Sequence, residues 1–192
     1  MEKIILIYFA AYLAGSINFA IIFFKLTGKA DPRLSFSGNA GTTNVYRQAG
    51  YFWATIILLL DIGRALGVAA LALHFLEGKY VPWVGFFLVL GNSFPCFHNF
   101  RGGKGVANFL GFTLLVEPWA ALLAAIMWVA TYGVCRVTFV ASFVMALTLS
   151  LGLAFSNYWV FCAASGAAAT FFLILFNHRK NIIEHWSGAA SA

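Results

Sequence analysis

Apolar residues run through this chain in long blocks separated by short polar interruptions, not in the alternation of a half-buried strand or the one-sided stripe of a surface helix. Seven blocks stand out: Ile4 to Phe24, Phe52 to Leu76, Val81 to Phe97, Val106 to Val116, Pro118 to Val134, Phe139 to Phe155 and Tyr158 to Phe176. About 20 apolar residues cross a hydrocarbon core as a helix, and a backbone in lipid must satisfy its own hydrogen bonds. The blocks therefore predict an all-α polytopic membrane protein with seven transmembrane helices. Val106 to Val116, at about 1.5 Å per residue, spans only about 17 Å, so it is expected to be a short or half-length helix, tilted and sheltered or half-inserted. Glu117-Pro118 ends it, because proline lacks the N–H and disfavours helical geometry in the residue before it.

Composition sharpens the class. Of 192 residues, 62% are hydrophobic and 9% charged, with a mean hydropathy of +0.87, against about 25% charged in a soluble domain. A water-soluble domain is excluded, and residues 1–192 are expected to form a single integral membrane domain. The net charge of +6 is spread among apolar residues and makes no basic stripe, so nucleic acid is not an expected partner; the lipid bilayer is. Charge placement predicts orientation instead. Lys25, Lys29, Arg33, Arg47, Arg101, Lys104, Arg136, Arg179 and Lys180 fall on one side, while Lys3 and Lys79 share the other with Glu2, Glu77 and Glu117. The side rich in Lys and Arg is cytoplasmic, which puts the N-terminus outside and the C-terminus in the cytoplasm. The first block lacks a small-residue cleavage site after it and reads as a retained span. Cys96, Cys135 and Cys162 lie in apolar surroundings without metal-ligand spacing and read as packing residues, while His74 reads as a packing or interfacial residue.

The polar residues gather in few places. Asp61 and Arg64, at i and i+3 inside the second block, share a helical face; either they form an internal ion pair or they belong to the site. The longest loop, Thr27 to Gly50, carries Ser35, Ser37, Gly38, Asn39, Gly41, Thr42, Thr43, Asn44 and Arg47, a run of small donors ending in a cation. Glycines let backbone N–H groups approach an anion, although no Gly-Lys-Ser/Thr makes this a Walker A loop. Gly102-Gly103-Lys104-Gly105 precedes the short fourth block, whose helix N-terminus would face the same anion as Lys104. Asn177-His178-Arg179-Lys180-Asn181 follows the last block, and Ser142 lies just inside the sixth. All four clusters fall on one face of the predicted bundle. A cationic, glycine-rich face on apolar helices suits a substrate with phosphate in water and a hydrophobic part in lipid.

At these clusters the chain resembles the bacterial acyl-phosphate:glycerol-3-phosphate acyltransferase family, the PlsY type, over essentially its whole length. Ser37 to Val45 is similar to the family pattern S-G-N-x-G-A-T-N-V, with Thr42 in place of alanine. Gly91 to Asn108 is similar to G-H-x-F-P-x-F-x-x-F-K-G-G-K-G-V-A-T, with Asn92 for His, Arg101 for Lys and Asn108 for Thr. His178 to Ile182 resembles H-R-x-N-I, followed by Glu184 where a basic residue is common and Ala190 where Glu is expected.

The resemblance implies transfer of a fatty acyl group from acyl phosphate to the sn-1 hydroxyl of glycerol 3-phosphate. The products would be lysophosphatidic acid and inorganic phosphate, in the first acylation step of phospholipid biosynthesis. Neither acyl-CoA nor acyl-carrier protein would serve as donor, and no cofactor or metal is implied. The protein would sit in the bacterial inner membrane with its active site facing the cytoplasm. The expected donor site is the Ser37 to Asn44 loop with Ser35, Lys104 and the glycines Gly102, Gly103 and Gly105. Arg47, Ser142, His178 and Asn181 would bind and aim glycerol 3-phosphate. The general base is either His178 or a phosphate oxygen of the donor. A second class, a membrane transporter or channel for a phosphorylated metabolite, would also use glycine loops and cations, although no internal repeat is visible.

Overall fold

A computed structural model describes residues 1–157 and 160–187. The described residues form helices α1 (Glu2–Ser16), α2 (Phe19–Leu26), α3 (Thr42–Phe75), α4 (Val81–Ser93), α5 (Val106–Val116), α6 (Pro118–Cys135), α7 (Thr138–Ser156), α8 (Phe161–Asn177) and α9 (Arg179–Trp186). Short 3-10 turns lie at Pro32–Leu34, Gly78–Tyr80 and Cys96–His98. Among the described residues five stretches are long and apolar enough to cross a membrane, or six if α8 and α9, bent by 47° to each other, count as one span. The chain is a multi-pass membrane protein whose α5 is shorter than these. Tyr158, the expected start of the last block, and Ala190 lie outside the described residues.

The fourth and fifth blocks appear as α5 and α6 nearly residue for residue, because Glu117-Pro118 separates them as its chemistry requires. Two expected boundaries are corrected. Ile4 to Phe24 is not one unbroken helix: Ile17 and Asn18 leave helical geometry, and Asn18 caps α2 by accepting from Ile21 N at 3.0 Å. Thr27 to Gly50 is not all loop, since α3 begins at Thr42 and runs through a kink at Gly50, whose φ of 83° only glycine takes readily. Thr42, Thr43, Asn44 and Arg47 therefore stand on the first turns of a helix. The apolar pattern starts only beyond Gly50, which hid those two turns from the sequence.

Small residues bring the helices together. Gly15 on α1 faces the Leu88 carbonyl of α4, and Gly91 on α4 faces the Tyr12 carbonyl of α1; a Cβ at either position would run into that oxygen. Gly166 of α8 lies against Trp83 of α4, and Gly152 of α7 against Ala120 of α6. Lipid tails are as apolar as leucine, so this close fit, more than hydrophobicity, binds membrane helices to each other. Along most of α5 the fit is close: Phe109 and Phe112 are fully buried, with Val89, Leu149 and Ile174 on one side and Ala65, Ala69 and Leu88 on the other, and only Leu114 and Leu115 of its last turn are exposed. An 11-residue helix is too short to span a bilayer alone, and here protein packs against most of its length. Residues facing outward, such as Leu122, Leu123, Ile126 and Val129 of α6, are exposed and apolar, as a lipid-facing surface requires.

Candidate functional site

Three chain segments meet at the end of the bundle where α5 begins. The first is the Pro32–Gly41 turn, folded over the start of α3 by Asn44. That buried side chain donates to the carbonyl oxygens of Pro32 (2.7 Å), Asn39 (2.9 Å) and Ser35 (3.2 Å). Asn18 donates to Ala40 O at 3.1 Å and so ties the turn to the α1–α2 break. Arg33, paired with Asp31 at 2.5 Å, donates to the carbonyls of His98 (2.8 Å) and Arg101 (2.7 Å), which lashes the turn to the second segment.

That second segment, Arg101–Gly105, runs along the end of α4. Gly103 N donates to Asn92 O at 2.9 Å and Gly102 N to Ser93 O at 3.1 Å. A Cβ at Gly103 would lie 2.7 Å from Asn92 Nδ2 and 3.0 Å from Ala40 O, so the close approach requires glycine. Gly105, at φ 85°, turns the chain into α5 and supplies no side-chain cap. The first N–H groups of α5 are thus left open beside Lys104.

The third segment is the break after α8. Asn177 donates to Ser93 Oγ at 2.8 Å, and the Lys104 ammonium donates to Asn181 Oδ1. His178 is buried, its Nδ1 lies 2.8 Å from Ile174 O, and its ring stands edge-on to Phe143 at 5.2 Å. A carbonyl can only accept, so Nδ1 carries the hydrogen and the other ring nitrogen is left as an acceptor. Burial, seconded by the Lys104 charge, holds this imidazole neutral by pulling its pKa down to about 4. Burial likewise lowers the Lys104 ammonium to about 8, with the nearby Glu184 carboxylate opposing the shift and Arg47 adding to it.

Together with residues of α3, α5, α6 and α7 the segments line a half-open cavity of about 340 Å³. Lys104, His178, Asn181, Ser142 and Arg47 all line it. So do Ser37, Asn39, Gly41, Thr42, Thr43, Gly103 and Gly105. The Thr42 hydroxyl oxygen is buried there without a hydrogen-bond partner. Ser142 donates to Thr138 O at 2.9 Å, and its oxygen lies 3.5 Å from the Trp128 indole nitrogen. Gly38 and Gly102 line an adjoining cavity of about 400 Å³ that shares Lys104 and Asn181 and carries Arg33, Arg101, Arg179 and Lys180. Ser35 and Asn44 line neither: Asn44 spends its amide on loop carbonyls, and Ser35 contributes one of them.

Among the further lining residues, Asn92, Asn108, Trp128 and Thr138 carry polar groups outside the expected site residues, and Asp61, left between two readings by the sequence, lines the cavity too. The Asp61–Arg64 pair forms at 2.8 Å, and Asp61 lines the cavity as well, so the two readings of that pair hold together. Asn92 and Asn108 carried a signal as departures from the family pattern. Trp128 carried none, since a tryptophan among lipid-facing residues looks like any other apolar position.

The chain as a whole is similar to known proteins. Residues 5–188 match the family model described as glycerol-3-phosphate acyltransferase. A glycerol-3-phosphate acyltransferase of Pseudomonas fluorescens is 41% identical over 180 residues, covering 93% of this chain and 93% of its own. One from Pseudomonas syringae pv. tomato is 39% identical over 180 residues, with 93% and 92% covered. The crystal structure of PlsY, an integral membrane glycerol 3-phosphate acyltransferase, in its glycerol 3-phosphate form superposes with a TM-score of 0.89 at 32% identity, over 96% of this chain and 92% of that one. Its lysophosphatidic acid form gives 0.85 at 30% identity, with the same coverage. Sequence and architecture agree over nearly the full length, and the chain belongs to the glycerol-3-phosphate acyltransferase family.

Proposed function

We propose that this chain transfers a fatty acyl group from acyl phosphate to the sn-1 hydroxyl of glycerol 3-phosphate, releasing lysophosphatidic acid and inorganic phosphate. The observation that carries the reading is one cavity in which Lys104, Arg47, Ser142, His178 and Asn181 converge at the polar end while Leu58, Leu110 and Met145 line the apolar remainder. Family membership favours an acyltransferase over a transporter. The related PlsY structures, described as glycerol 3-phosphate and lysophosphatidic acid forms, support the same acceptor and product for this chain.

Acyl phosphate is a mixed anhydride, already activated, so catalysis needs positioning and charge stabilisation more than a covalent intermediate. Lys104 offsets charge on the leaving phosphate while the Ser37 to Thr43 segment and the glycine loop hold it. At about 4 Å and an effective dielectric near 20, such an ion contact is worth about 4 kcal/mol before desolvation. Arg47, Ser142, His178 and Asn181 bind glycerol 3-phosphate and aim its hydroxyl. The proton goes either to the free nitrogen of His178 or to a donor phosphate oxygen. In this reading residues 1–192 act as one domain without cofactor or metal, and acyl-CoA and acyl-carrier protein are not donors. The N-terminus lies outside the inner membrane and the C-terminus and site face the cytoplasm.

The test is phosphate release by the purified protein in lipid, given palmitoyl phosphate with and without glycerol 3-phosphate, and palmitoyl-CoA with glycerol 3-phosphate as a control. Release that requires both palmitoyl phosphate and glycerol 3-phosphate supports the reading. Thioester cleavage at a comparable rate with palmitoyl-CoA would overturn the donor assignment.

A further inference from the structure

A guanidinium sits inside the helical bundle, and no step above uses it. The Arg64 side chain is 7% exposed and that of Asp61 10%. Arg64 donates to Ile17 O at the α1–α2 break, to Asp61 Oδ1 at 2.8 Å, to Asn108 Oδ1 at 2.5 Å and, more weakly, to Asn92 Oδ1 at 3.5 Å. Its planar group also lies 5.1 Å from the centre of the Phe19 ring. One side chain of α3 thus ties together the first broken helix, α4 and α5.

A guanidinium has donors and no acceptor, so each asparagine facing it presents its carbonyl oxygen and turns its NH2 group away. Asn92 and Asn108 are 3% and 1% exposed, and both line the cavity. Asn92 Nδ2 points toward Gly103, beside Lys104. Asn108 stands in the first turn of α5, one helical turn beyond Lys104. Asp61 and Arg64 cancel each other's charge, so this part of the cavity offers amide donors without net charge. A phosphate is served by the cations Lys104 and Arg47; uncharged donors suit an oxygen that gains charge only during reaction. Leu58 and Leu110 lie next along the same helices, where an alkyl chain would run.

Resting on the acyl-phosphate reading, we propose that Asn92 and Asn108 donate hydrogen bonds to the acyl carbonyl oxygen of the donor, and that Arg64 is the positioning residue that sets their amides. The hydroxyl oxygen of glycerol 3-phosphate forms a bond to the acyl carbon, and the carbonyl π pair moves onto the oxygen that the amides hold. Its return breaks the bond from carbon to phosphate oxygen. The hydroxyl proton ends on the released phosphate, so ester and inorganic phosphate account for every atom.

Threonine and valine have the same shape and differ by a hydroxyl, so Asn108→Thr and Asn108→Val isolate the donor. Steady-state phosphate release from palmitoyl phosphate, with glycerol 3-phosphate, is measured for both beside the unaltered protein in lipid. Asn108→Thr is expected to lower kcat by less than about tenfold. Asn108→Val should lower it by about a hundredfold, the scale of one lost oxyanion donor, with both KM values held within about threefold. Asn108→Asp keeps an oxygen for Arg64 and deletes the NH2 group; it serves if the valine variant fails to fold and should lose kcat similarly. Arg64→Lys is expected to retain more kcat than Arg64→Met at equal KM. A folded Asn108→Val as fast as Asn108→Thr, a loss confined to KM, or Asn108→Asp at the unaltered rate overturns the proposal. An unaltered protein that releases no phosphate overturns the acyl-phosphate reading and this inference with it; active protein with indifferent variants overturns this inference alone.

Discussion

The Lys104 ammonium donates a hydrogen bond to the side-chain oxygen of Asn181, joining the glycine loop before α5 to the first turn of α9. Two sequence-distant clusters thereby become one wall of one cavity. The bond also marks where a phosphate must compete: an anion entering the cavity meets a cation already aimed and partly desolvated.

Lys104 sets an alkaline limit. Its folded-state pKa of about 8 means that the free protein loses this charge as pH rises through about 8, well below the ordinary lysine range. Anion binding needs the charged form, so kcat/KM for palmitoyl phosphate is expected to fall about tenfold per pH unit above about 8. Lys104→Arg, which stays charged, should lose that limb even if its plateau is lower. Lys104→Ala should cost at least about a hundredfold in turnover while the protein still folds and inserts. A pH–rate profile of the three proteins checks all of this, and near-normal turnover in Lys104→Ala would remove Lys104 from the mechanism.

His178 should add no acid limb near the usual histidine value. With its pKa pulled down to about 4 the ring is neutral above that pH, so kcat/KM is expected to stay level from about pH 7 to about pH 5.5 as far as this group is concerned. NMR titration of the labelled imidazole gives the direct reading. A midpoint near 6.5 would show that the ring is more solvated than its burial implies.

Asn44 is expected to act through the loop it holds. Its NH2 group shares two hydrogens among three backbone carbonyls, and each hydrogen bond is worth about 1 kcal/mol net, so Asn44→Ala should destabilise the protein by about 2 kcal/mol and lower activity with it. Asn44→Asp should be worse, because a carboxylate would then face those carbonyl oxygens. Thermal unfolding in detergent, followed beside activity, distinguishes this from a side chain that merely touches substrate, which would leave the unfolding temperature in place.

Gly91→Ala tests the packing of α1 on α4. The new methyl would meet the Tyr12 carbonyl, and the helices would have to separate, at about 1–3 kcal/mol. An unfolding temperature equal to that of the unaltered protein would contradict the close approach.

The three cysteines are free, and replacing Cys96, Cys135 and Cys162 together by alanine is expected to leave the protein active. In that background Lys180→Cys and Lys79→Cys report orientation. An impermeant thiol reagent should reach position 79 from outside the cell and position 180 only in inverted vesicles. The opposite pattern would reverse the proposed topology.

The helical class, the short α5 and its proline boundary, and the gathering of cations, glycines and small donors at loop ends are legible in the sequence alone. Each depends on local composition: lipid demands continuous apolar runs, proline stops a helix wherever it stands, and charges stay near water. The break at Asn18 and the helical start at Thr42 are not legible in that way, since each is held by contacts from elsewhere, Asn18 on Ala40 and Asn44 on the turn before it. The same holds within the site. Asn44 reads as a ligand by residue type, and only its three carbonyl partners make it a scaffold. Arg64, Asn92 and Asn108 look unrelated along the chain, and they became one buried polar group because helix packing set three elements around a single guanidinium. Composition can say which residues must avoid lipid; which of them face each other depends on helix approach distances that glycines such as Gly15 and Gly91 allow, and those exist only in the folded bundle.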